Sequence, residues 1–519
     1  MSEKLKKIII EASLAVLLSA YPVSYLYQVN YDKLLFKQTI LPFIIIGGIA
    51  FLSFLFFKSL SVFKFSIRNL YIVIPLLCIL LFTYGHIFSI LSQMPYLTGL
   101  IKNRYLLPLY LILSLVVIYL VHSIQNRTAT GLVLNFLIFL NLTPFGIISL
   151  EYLRQSINKQ NQQKLNPIKT VAAQDNDPDI YYIVLDMYPS NEVLKKYWSF
   201  DNTTFVNKLK ELGFQVFNES QSNYPITYLA LNSVLNLQYI HKKNGAKLTG
   251  LTKAYLDETL LKNQASIYLK NRGYNYYVFE GGIFPEPINK SSQDFFLKVE
   301  NRTNTINYQT SPDNDFFLLF INSSIIFPFA DKIQSISSKI YRKRIYYTLD
   351  RLPLLSRQID KKFVIAHIMC PHSPYIFGQG GEEVFVDDKS PMRRMAFLNQ
   401  LKFINKKIVP VLNQLINNKN GRSKIIILQG DHGTREIPPN GNYNMDEDWA
   451  KAYYGNFNAI YSSDIKADFS RYTSPVNTFR RLFNSEFDEN FTLLPDKKFY
   501  TDYIYPLSFV EIAESKTYN

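Results

Sequence analysis

Long apolar stretches dominate the first 150 residues, whereas the later residues alternate between short apolar runs and polar segments. Five of these stretches approach the roughly 20 residues that an α-helix needs to cross a bilayer. They cover residues 8–28, 40–57, 70–91, 105–121 and 131–150. Lysines precede the first stretch as they would in a signal peptide, but four more stretches follow it. The pattern therefore predicts a retained transmembrane bundle of about five helices over residues 1–150.

Basic residues indicate how this bundle is oriented. Lys4, Lys6 and Lys7 favour a cytoplasmic N-terminus. The loop after the second stretch lies on the same side of the membrane and carries three basic residues: Lys58, Lys64 and Arg68. An odd number of spans then carries the chain after residue 151 across the membrane. We expect a multi-pass protein of the cell membrane, in contact with the bilayer, with an extracytoplasmic C-terminal domain.

Two ionisable residues, Glu11 and His86, fall inside the predicted spans, where such residues often mark a functional site. Glu11 lies only about one turn inside its span, so its carboxylate can reach the interface by snorkelling. A structural role is the expectation for both residues, with a functional role as the alternative.

The remainder of the chain has the pattern of an α/β domain. A polar linker over residues 151–176 leads into an ectodomain at 177–519, whose apolar, β-branched runs end abruptly on polar or glycine residues. These runs are IYYIVLD, YNYYVFEGG, FVIAHIMCPH and IIILQGDHG. Segments with helical spacing, such as TTFVNKLKELG, separate them. This alternation predicts a central, largely parallel sheet with helices on both faces.

Polar residues at the ends of these strands are candidates for a binding site. In a parallel sheet the carboxyl ends of the strands share one edge, so Asp186, His372, Asp431 and His432 can meet there. Taken singly, each has a simpler explanation as a helix cap, a turn former or an ordinary polar residue. Mixed carboxylate and imidazole ligands suit zinc or manganese better than calcium, which prefers oxygen alone.

The segment SQSNYPITYLALNSVLN supplies a hydroxyl for such a site. After Pro225 its apolar residues have the spacing of a helix, which puts Thr227 in the first turn. Backbone N–H groups and the helix dipole favour an anionic group there. The alternative is that Thr227 only caps the helix.

Composition excludes several classes of protein. The net charge of +15 comes from lysine and arginine spread along all 519 residues, without a compact basic run that has interleaved aromatics, so we expect no nucleic-acid partner. The two cysteines, Cys78 and Cys370, lie in different parts of the chain and are not expected to pair. The fold is therefore not a disulfide framework.

Five segments together resemble the membrane-anchored branch of the alkaline phosphatase and sulfatase superfamily. IYYIVLDMY, SNYPITYLALNSVLN, HIMCPHSPY and ILQGDHGTR occur in the order typical of that family, and SPVNTFRRLF resembles its closing segment. The resemblance covers residues 178–485 and is carried most specifically by Gly-Asp-His-Gly. The branch includes lipoteichoic acid synthases and phosphoethanolamine transferases, which share the layout of five spans before an extracytoplasmic enzyme.

The resemblance implies roles for individual residues. Asp186, Asp431 and His432 match metal ligands, and Thr227 matches a nucleophile that also touches the metal. His372 matches a residue that holds the substrate phosphate. Since histidine titrates near physiological pH, His372 could also protonate the leaving alkoxide. Arg435 is a further phosphate-contact candidate because it lies close in sequence to the ligands.

Departures from the family pattern narrow these expectations. The Cys-x-Pro-x-Arg motif of true sulfatases is missing from the sequence, as is a second Asp-His cluster, so we expect one divalent metal ion, Mn or Zn. The low cysteine content also differs from disulfide-rich phosphoethanolamine transferases. We therefore expect a phosphotransferase that moves a phosphoglycerol- or phosphoethanolamine-type group from a phospholipid donor to a surface glycan or lipid. The alternatives are a phosphate or sulfate ester hydrolase and an inactive sulfatase-like binding scaffold.

Overall fold

The computed structural model groups the chain into two compact units. One unit comprises Met1–Lys164 and Thr303–Ser337, and the other Leu165–Arg302 and Ser338–Asn519. The described residues are 2–30, 36–60, 67–92, 94, 101–160, 177–240, 256, 259–279, 281, 295–297, 315–386, 390–418, 420–434, 445–464, 474–501 and 510–512. Of the predicted linker over 151–176, residues 151–160 are helical, whereas residues 161–176 lie outside the described residues, as does the candidate Arg435.

The first unit is helical. Its first helices are α1 (Glu3–Leu18), α2 (Tyr21–Val29), α3 (Ile40–Ser59), α4 (Leu70–Phe82), α5 (Tyr84–Ser92), α6 (Asn103–Ser123) and α7 (Arg127–Gln160), with a 3-10 turn at Phe36–Thr39 before α3. Among the described residues, five segments are long and apolar enough to cross a membrane: Glu3–Val29, Ile40–Ser59, Leu70–Ser92, Asn103–Ser123 and Arg127–Ile147. The five predicted spans are therefore confirmed as helices of membrane-spanning length.

The ionisable residues inside the spans have structural contacts. Glu11 forms an ion pair with Lys58, whose Nζ lies 3.2 Å from the Glu11 carboxylate. The ring of His86 packs edge-to-face on Phe82. Within the bundle, the Asn141 side-chain amide donates a hydrogen bond to the Leu18 carbonyl at 3.0 Å. These contacts support the structural interpretation of Glu11 and His86.

The second unit has the expected alternation of strands and helices. Its first elements are β1 (Asp179–Leu185), α8 (Asn191–Trp198), α9 (Thr203–Glu211), β2 (Gln215–Val216), α10 (Thr227–Leu235), α11 (Gln264–Asn271), β3 (Asn275–Phe279) and β4 (Phe295–Leu297). Next come α12 (Asp315–Ser323) with a 3-10 turn at Phe327–Phe329, both in the first unit, and α13 (Ala330–Leu355), which the boundary at Ser337 divides. The chain continues with β5 (Lys362–Ile368), β6 (Tyr375–Phe377), β7 (Glu383–Val386), α14 (Arg393–Asn417), β8 (Lys424–Gly430), α15 (Met445–Tyr454), β9 (Asn458–Ser462), a 3-10 turn (Pro475–Asn477), α16 (Thr478–Phe487), β10 (Lys498–Tyr500) and β11 (Val510–Ile512).

A seven-stranded sheet forms the centre of this unit, in the order β2-β9-β8-β1-β5-β3-β4. The central strand β1 runs parallel to both of its neighbours, β5 and β8, and β3 extends the parallel part. Strand β9 is antiparallel to both β8 and β2. The predicted class, an α-helical bundle followed by an α/β domain with a largely parallel sheet, is confirmed.

Burial on both faces explains why the central strands are apolar throughout. In β1 the side chains of Tyr181, Ile183 and Leu185 enter one hydrophobic cluster. Ile180 and Tyr182 alternate with them and enter a second cluster on the opposite face. A strand covered by helices on both faces has no solvent side, so its sequence is a continuous apolar run.

Buried ion pairs occupy the amino edge of the same sheet. Lys362, which begins β5, lies 3.1 Å from the carboxylate of Asp179, which begins β1, and both side chains are fully buried. Nearby, Arg272 lies 3.2 Å from Asp177, and this pair is also buried. Charged residues at these positions therefore tie β1 to its neighbours at the edge opposite the candidate site.

Candidate metal centre

Asp186 is the first residue after β1, the central strand of the sheet. Its amide N–H donates to the Ile368 carbonyl of β5 at 3.0 Å, which continues the strand pairing by one residue. The seven residues before it are all buried, and the Asp186 side chain is itself only 2% exposed. The C-terminal end of β1 thus places the Asp186 carboxylate in the protein interior.

Asp431 follows the neighbouring strand β8 in register with Asp186. Leu185 pairs with Gly430, so the two aspartates are the next residues on adjacent parallel strands. A Cβ atom on Gly430 would lie 2.2 Å from the Tyr188 carbonyl oxygen, which explains why glycine precedes Asp431. The Met187 N–H donates to Asp431 Oδ1 at 2.8 Å and fixes that carboxylate beside the first.

His432 and Thr227 complete the group. Ligand atoms of Asp186, Asp431 and His432 all lie within 4.8 Å of one another, and all three side chains are buried. The Thr227 hydroxyl oxygen lies 3.4 Å from His432 Nε2. Helix α10 begins at Thr227, as the sequence pattern predicts, so the hydroxyl sits in the first turn, where the helix dipole favours negative charge.

The donor atoms fit a divalent cation. Oδ1 of Asp186 and Oδ2 of Asp431 are buried and accept no hydrogen bond from the residues that the structure describes. Buried carboxylate oxygens without a partner are costly unless a cation compensates them. His432 Nδ1–H donates to the Gly433 carbonyl at 2.8 Å, which leaves the Nε2 lone pair available toward Asp431 Oδ2, 3.4 Å away. Two carboxylates, an imidazole and a hydroxyl are a donor set that zinc or manganese accepts.

The electrostatics of the site keep Asp186 ionised. Burial alone would raise the pKa of Asp186, but the charge of His372 together with the hydrogen bond and charge of His367 outweighs it and holds the pKa below its usual value. An ionised carboxylate is the form that binds a metal ion.

His372 acts on this group electrostatically, since its charge is the strongest of the effects that lower the pKa of Asp186. It sits in the loop between β5 and β6, half-buried, and its Nδ1–H donates to the Ser373 carbonyl at 2.5 Å. Gln400 of α14 is fully buried and holds this loop: its Nε2 donates to the His372 carbonyl at 2.7 Å, and its Oε1 accepts from the Ile376 N–H at 2.7 Å. The structure therefore brings together three of the four strand-end residues, Asp186, Asp431 and His432, while His372 lies in the loop that follows β5.

Sequence reasoning missed a further residue, His367. This histidine lies inside β5 and is completely buried, with Nε2 3.2 Å from Asp186 Oδ2 and Nδ1 3.0 Å from the Gly281 carbonyl. Burial alone would lower the pKa of His367, but Asp186, Asp431 and the Gly281 carbonyl raise it above its usual value. The signal was available, since His367 is the one polar residue in the apolar run FVIAHIM.

No protein-family model matches this chain, and no curated protein sequence matches it. Solved structures are similar to it at low identity. The C-terminal periplasmic domain of EcEptC from Escherichia coli, in complex with Zn, is 15% identical, with 62% of this chain and 86% of that chain covered and a TM-score of 0.38. The integral membrane protein lipooligosaccharide phosphoethanolamine transferase A (EptA) from Neisseria meningitidis is 11% identical, with coverages of 91% and 95% and a TM-score of 0.36.

A third similar structure is a protein in the alkaline phosphatase superfamily from Vibrio parahaemolyticus. It is 12% identical, with 66% of this chain and 76% of that chain covered and a TM-score of 0.38. Phosphoethanolamine transferases and the alkaline phosphatase superfamily, both named above for the sequence motifs, are thus represented among the structural neighbours.

Proposed function

We propose that this chain is a metal-dependent extracytoplasmic phosphotransferase. It moves a phospho-head group of the phosphoglycerol or phosphoethanolamine type from a lipid donor to a surface glycan or lipid. One observation carries the proposal: the Thr227 hydroxyl lies 3.4 Å from His432 Nε2, beside two buried carboxylates with unpartnered oxygens. A hydroxyl in that setting is placed to become a nucleophile.

Thr227 supplies the attacking atom. A threonine hydroxyl is a weak nucleophile at its ordinary pKa and needs activation. A divalent cation held by Asp186, Asp431 and His432 would lower that pKa and neutralise charge on the phosphoryl oxygens. The first turn of α10 adds backbone N–H groups and a dipole that favour the developing anion.

Two transfer steps follow from this arrangement. In the first, Thr227 Oγ1 bonds to the donor phosphorus, its proton passes to water, and the bond from phosphorus to the diacylglycerol oxygen breaks. His372 protonates that leaving oxygen and becomes neutral. In the second, the acceptor hydroxyl gives its proton to His372 and attacks the phosphothreonine. The Thr227 oxygen then regains a proton, which restores the starting state.

The membrane-spanning helices support a lipid as the donor. In the part of the chain that the structure describes, five segments have the length and composition to cross a bilayer. A protein that spans the bilayer meets phospholipids at high local concentration, whereas a soluble ester is met only by diffusion. Phosphatidylglycerol and phosphatidylethanolamine are therefore the donors to test.

The test is peptide mass spectrometry on the full chain after incubation with each donor and no acceptor. We expect an added mass on the peptide that contains Thr227, and its size identifies the transferred head group. Thr227→Val is the matched control, because it keeps the branched shape and lacks the hydroxyl. Donor turnover by wild type with an unmodified Thr227 in acid-quenched samples would contradict the covalent route.

The hydrolase and scaffold alternatives give different results in the same assay. Hydrolysis in ¹⁸O-labelled water would place the label on the released phosphate ester even when acceptor is present. A scaffold would consume neither donor and would leave the Thr227 peptide unchanged with every metal added.

A further inference from the structure

A second apolar feature lies far from the spans in sequence. Residues 316–330, FFLLFINSSIIFPFA, contain no charged residue, although they lie between β4 and β5 of the α/β domain. Most of them belong to α12 and the 3-10 turn Phe327–Phe329, and Ala330 begins α13. The structure groups all of them with the helical bundle. Sequence analysis had placed this segment in the ectodomain. We call residues 316–330 the apolar insert.

The insert packs against the bundle through aromatic side chains. The ring of Phe316 lies 6.4 Å from that of Tyr27, and Phe320 lies 5.8 Å from Phe82. Phe316 and Phe320 are buried in a cluster that also contains residues of α2, α3 and α4. The inward face of the insert is therefore already occupied by the bundle.

Backbone contact makes this packing specific. A Cβ atom on Gly85, in α5, would lie 1.8 Å from the Asn322 carbonyl oxygen at the end of α12. The two helices approach so closely that only glycine fits at this position. The contact therefore depends on close backbone packing and is not a loose apolar association.

The insert contacts one end of the bundle. It touches α2 and α5, which end there, and the 3-10 turn Phe36–Thr39, after which α3 begins. The opposite end carries the basic residues Lys4, Lys6, Lys7 and Lys58, which the positive-inside rule places in the cytoplasm. The insert thus meets the predicted extracytoplasmic end of the bundle.

The outward side of the insert remains apolar. Phe329 is 61% exposed, and Ile325, Ile326 and Phe327 are only partly buried. A run of 10–14 apolar residues is too short to span a bilayer and is typical of re-entrant or interfacial segments. Because the inward face packs on membrane-spanning helices near their ends, the outward face lies at the depth of the membrane interface.

We propose that the apolar insert is an interfacial membrane anchor. Its occupant is the extracytoplasmic leaflet: Phe329 and its apolar neighbours enter the boundary between head groups and acyl chains, while Phe316 and Phe320 bind the bundle. The anchor is independent of the chemistry at Thr227, so either proposal can fail without the other.

Tryptophan fluorescence in lipid nanodiscs tests this anchor on the full chain. Phe329→Trp is compared with Ile359→Trp, at an 83% exposed position of the α/β domain, and with Leu111→Trp, at a 63% exposed position of α6. The signal of the native Trp198 and Trp449, measured in the parent chain, is subtracted. The quenchers are phosphatidylcholines brominated at shallow or deep acyl positions.

We expect shallow bromines to quench Phe329→Trp several-fold more than Ile359→Trp, and deep bromines to act most on Leu111→Trp. Ile326→Trp gives a second position in the insert, with the same expectation. If neither insert position is quenched more than Ile359→Trp, the segment is a protein contact or faces water, and the membrane anchor is overturned.

Discussion

The hydroxyl oxygen of Thr227 lies 3.4 Å from Nε2 of His432, although the two residues are 205 positions apart in sequence. Thr227 begins a helix and His432 follows a central strand, so two different elements must be in place before the atoms meet. The pair joins a hydroxyl at a helix N-terminus to a histidine of the candidate metal centre. The contribution of each candidate ligand can therefore be tested by a single substitution.

Asp431→Asn should abolish tight metal binding. The substitution keeps the side-chain oxygen that accepts the Met187 N–H, but it removes the negative charge from the unpartnered buried oxygen. We expect affinity for Zn or Mn to fall by at least about a hundredfold, beyond the 10- to 100-fold loss typical of residues that only support a ligand. Isothermal titration of the metal-free protein measures this.

The matched control is Asp201→Asn, at an exposed carboxylate next to α9. Its metal affinity should equal that of wild type. Equal affinity of the Asp431→Asn and wild-type proteins would show that the buried carboxylates do not form a metal site.

His367→Gln should weaken the same site without touching a ligand position. His367 Nε2 lies 3.2 Å from Asp186 Oδ2, and His367 Nδ1 lies 3.0 Å from the Gly281 carbonyl oxygen. The imidazole therefore holds the Asp186 carboxylate in position. Loss of such a support typically lowers metal affinity by about 10- to 100-fold. His86→Gln, at a histidine in the bundle, should leave affinity unchanged, and an equal effect of both variants would refute the positioning role.

The parts of the site that sequence could predict are those that depend on strand ends. Asp186 directly follows an apolar run, Asp431 and His432 come directly after strand β8, and parallel strands align their carboxyl ends. To predict Thr227, the start of a helix was needed as well, and the helical spacing of the apolar residues after Pro225 indicated it. The α/β class and the five spans depended on hydrophobic periodicity and length, and both are local properties of the chain.

The parts that sequence could not predict depend on distant packing. His367 looks like a strand residue until the register of β1 and β5 places it beside Asp186. The apolar insert resembles a core helix of the ectodomain, and only three-dimensional contacts such as that of Gly85 with Asn322 assign it to the bundle. Gln400 belongs to no recognisable sequence motif. Its side chain nevertheless donates a hydrogen bond to the carbonyl of His372, 28 positions away in sequence, and so holds the His372 loop.

Lys362→Met should destabilise the α/β domain. The Lys362 and Asp179 side chains are both fully buried, so the substitution leaves a buried carboxylate without its ion-pair partner. Breaking a buried pair costs about 3–5 kcal/mol in the free energy of unfolding. Urea unfolding in detergent, followed by tryptophan fluorescence, measures the change.

The same variant should show a defined pH dependence. Burial raises the pKa of Asp179 even in the presence of Lys362, and loss of the lysine raises it further. An acid whose pKa is higher in the folded state binds its proton more tightly there, so the destabilisation should be larger at pH 8 than at pH 5. Lys339→Met, in an exposed pair with Glu383, should cost less than about 1 kcal/mol at either pH. A pH-independent loss would show that Asp179 is not the source of the effect.

Removal of the metal should lower thermal stability and identify the ion. A ligand that binds only the folded state stabilises it by about 2.7 kcal/mol at a concentration of 100 Kd. We expect a chelator to lower the melting temperature of the α/β domain in the wild-type protein. Zn and Mn are then added separately, and the ion that restores the melting temperature at the lower concentration is the one that the site prefers. Because Asp431→Asn removes the charge of a candidate ligand, its melting temperature should respond little to the chelator or to either ion. If the variant and the wild type respond equally, the ion binds elsewhere, and the unpartnered oxygens of Asp186 and Asp431 need another explanation.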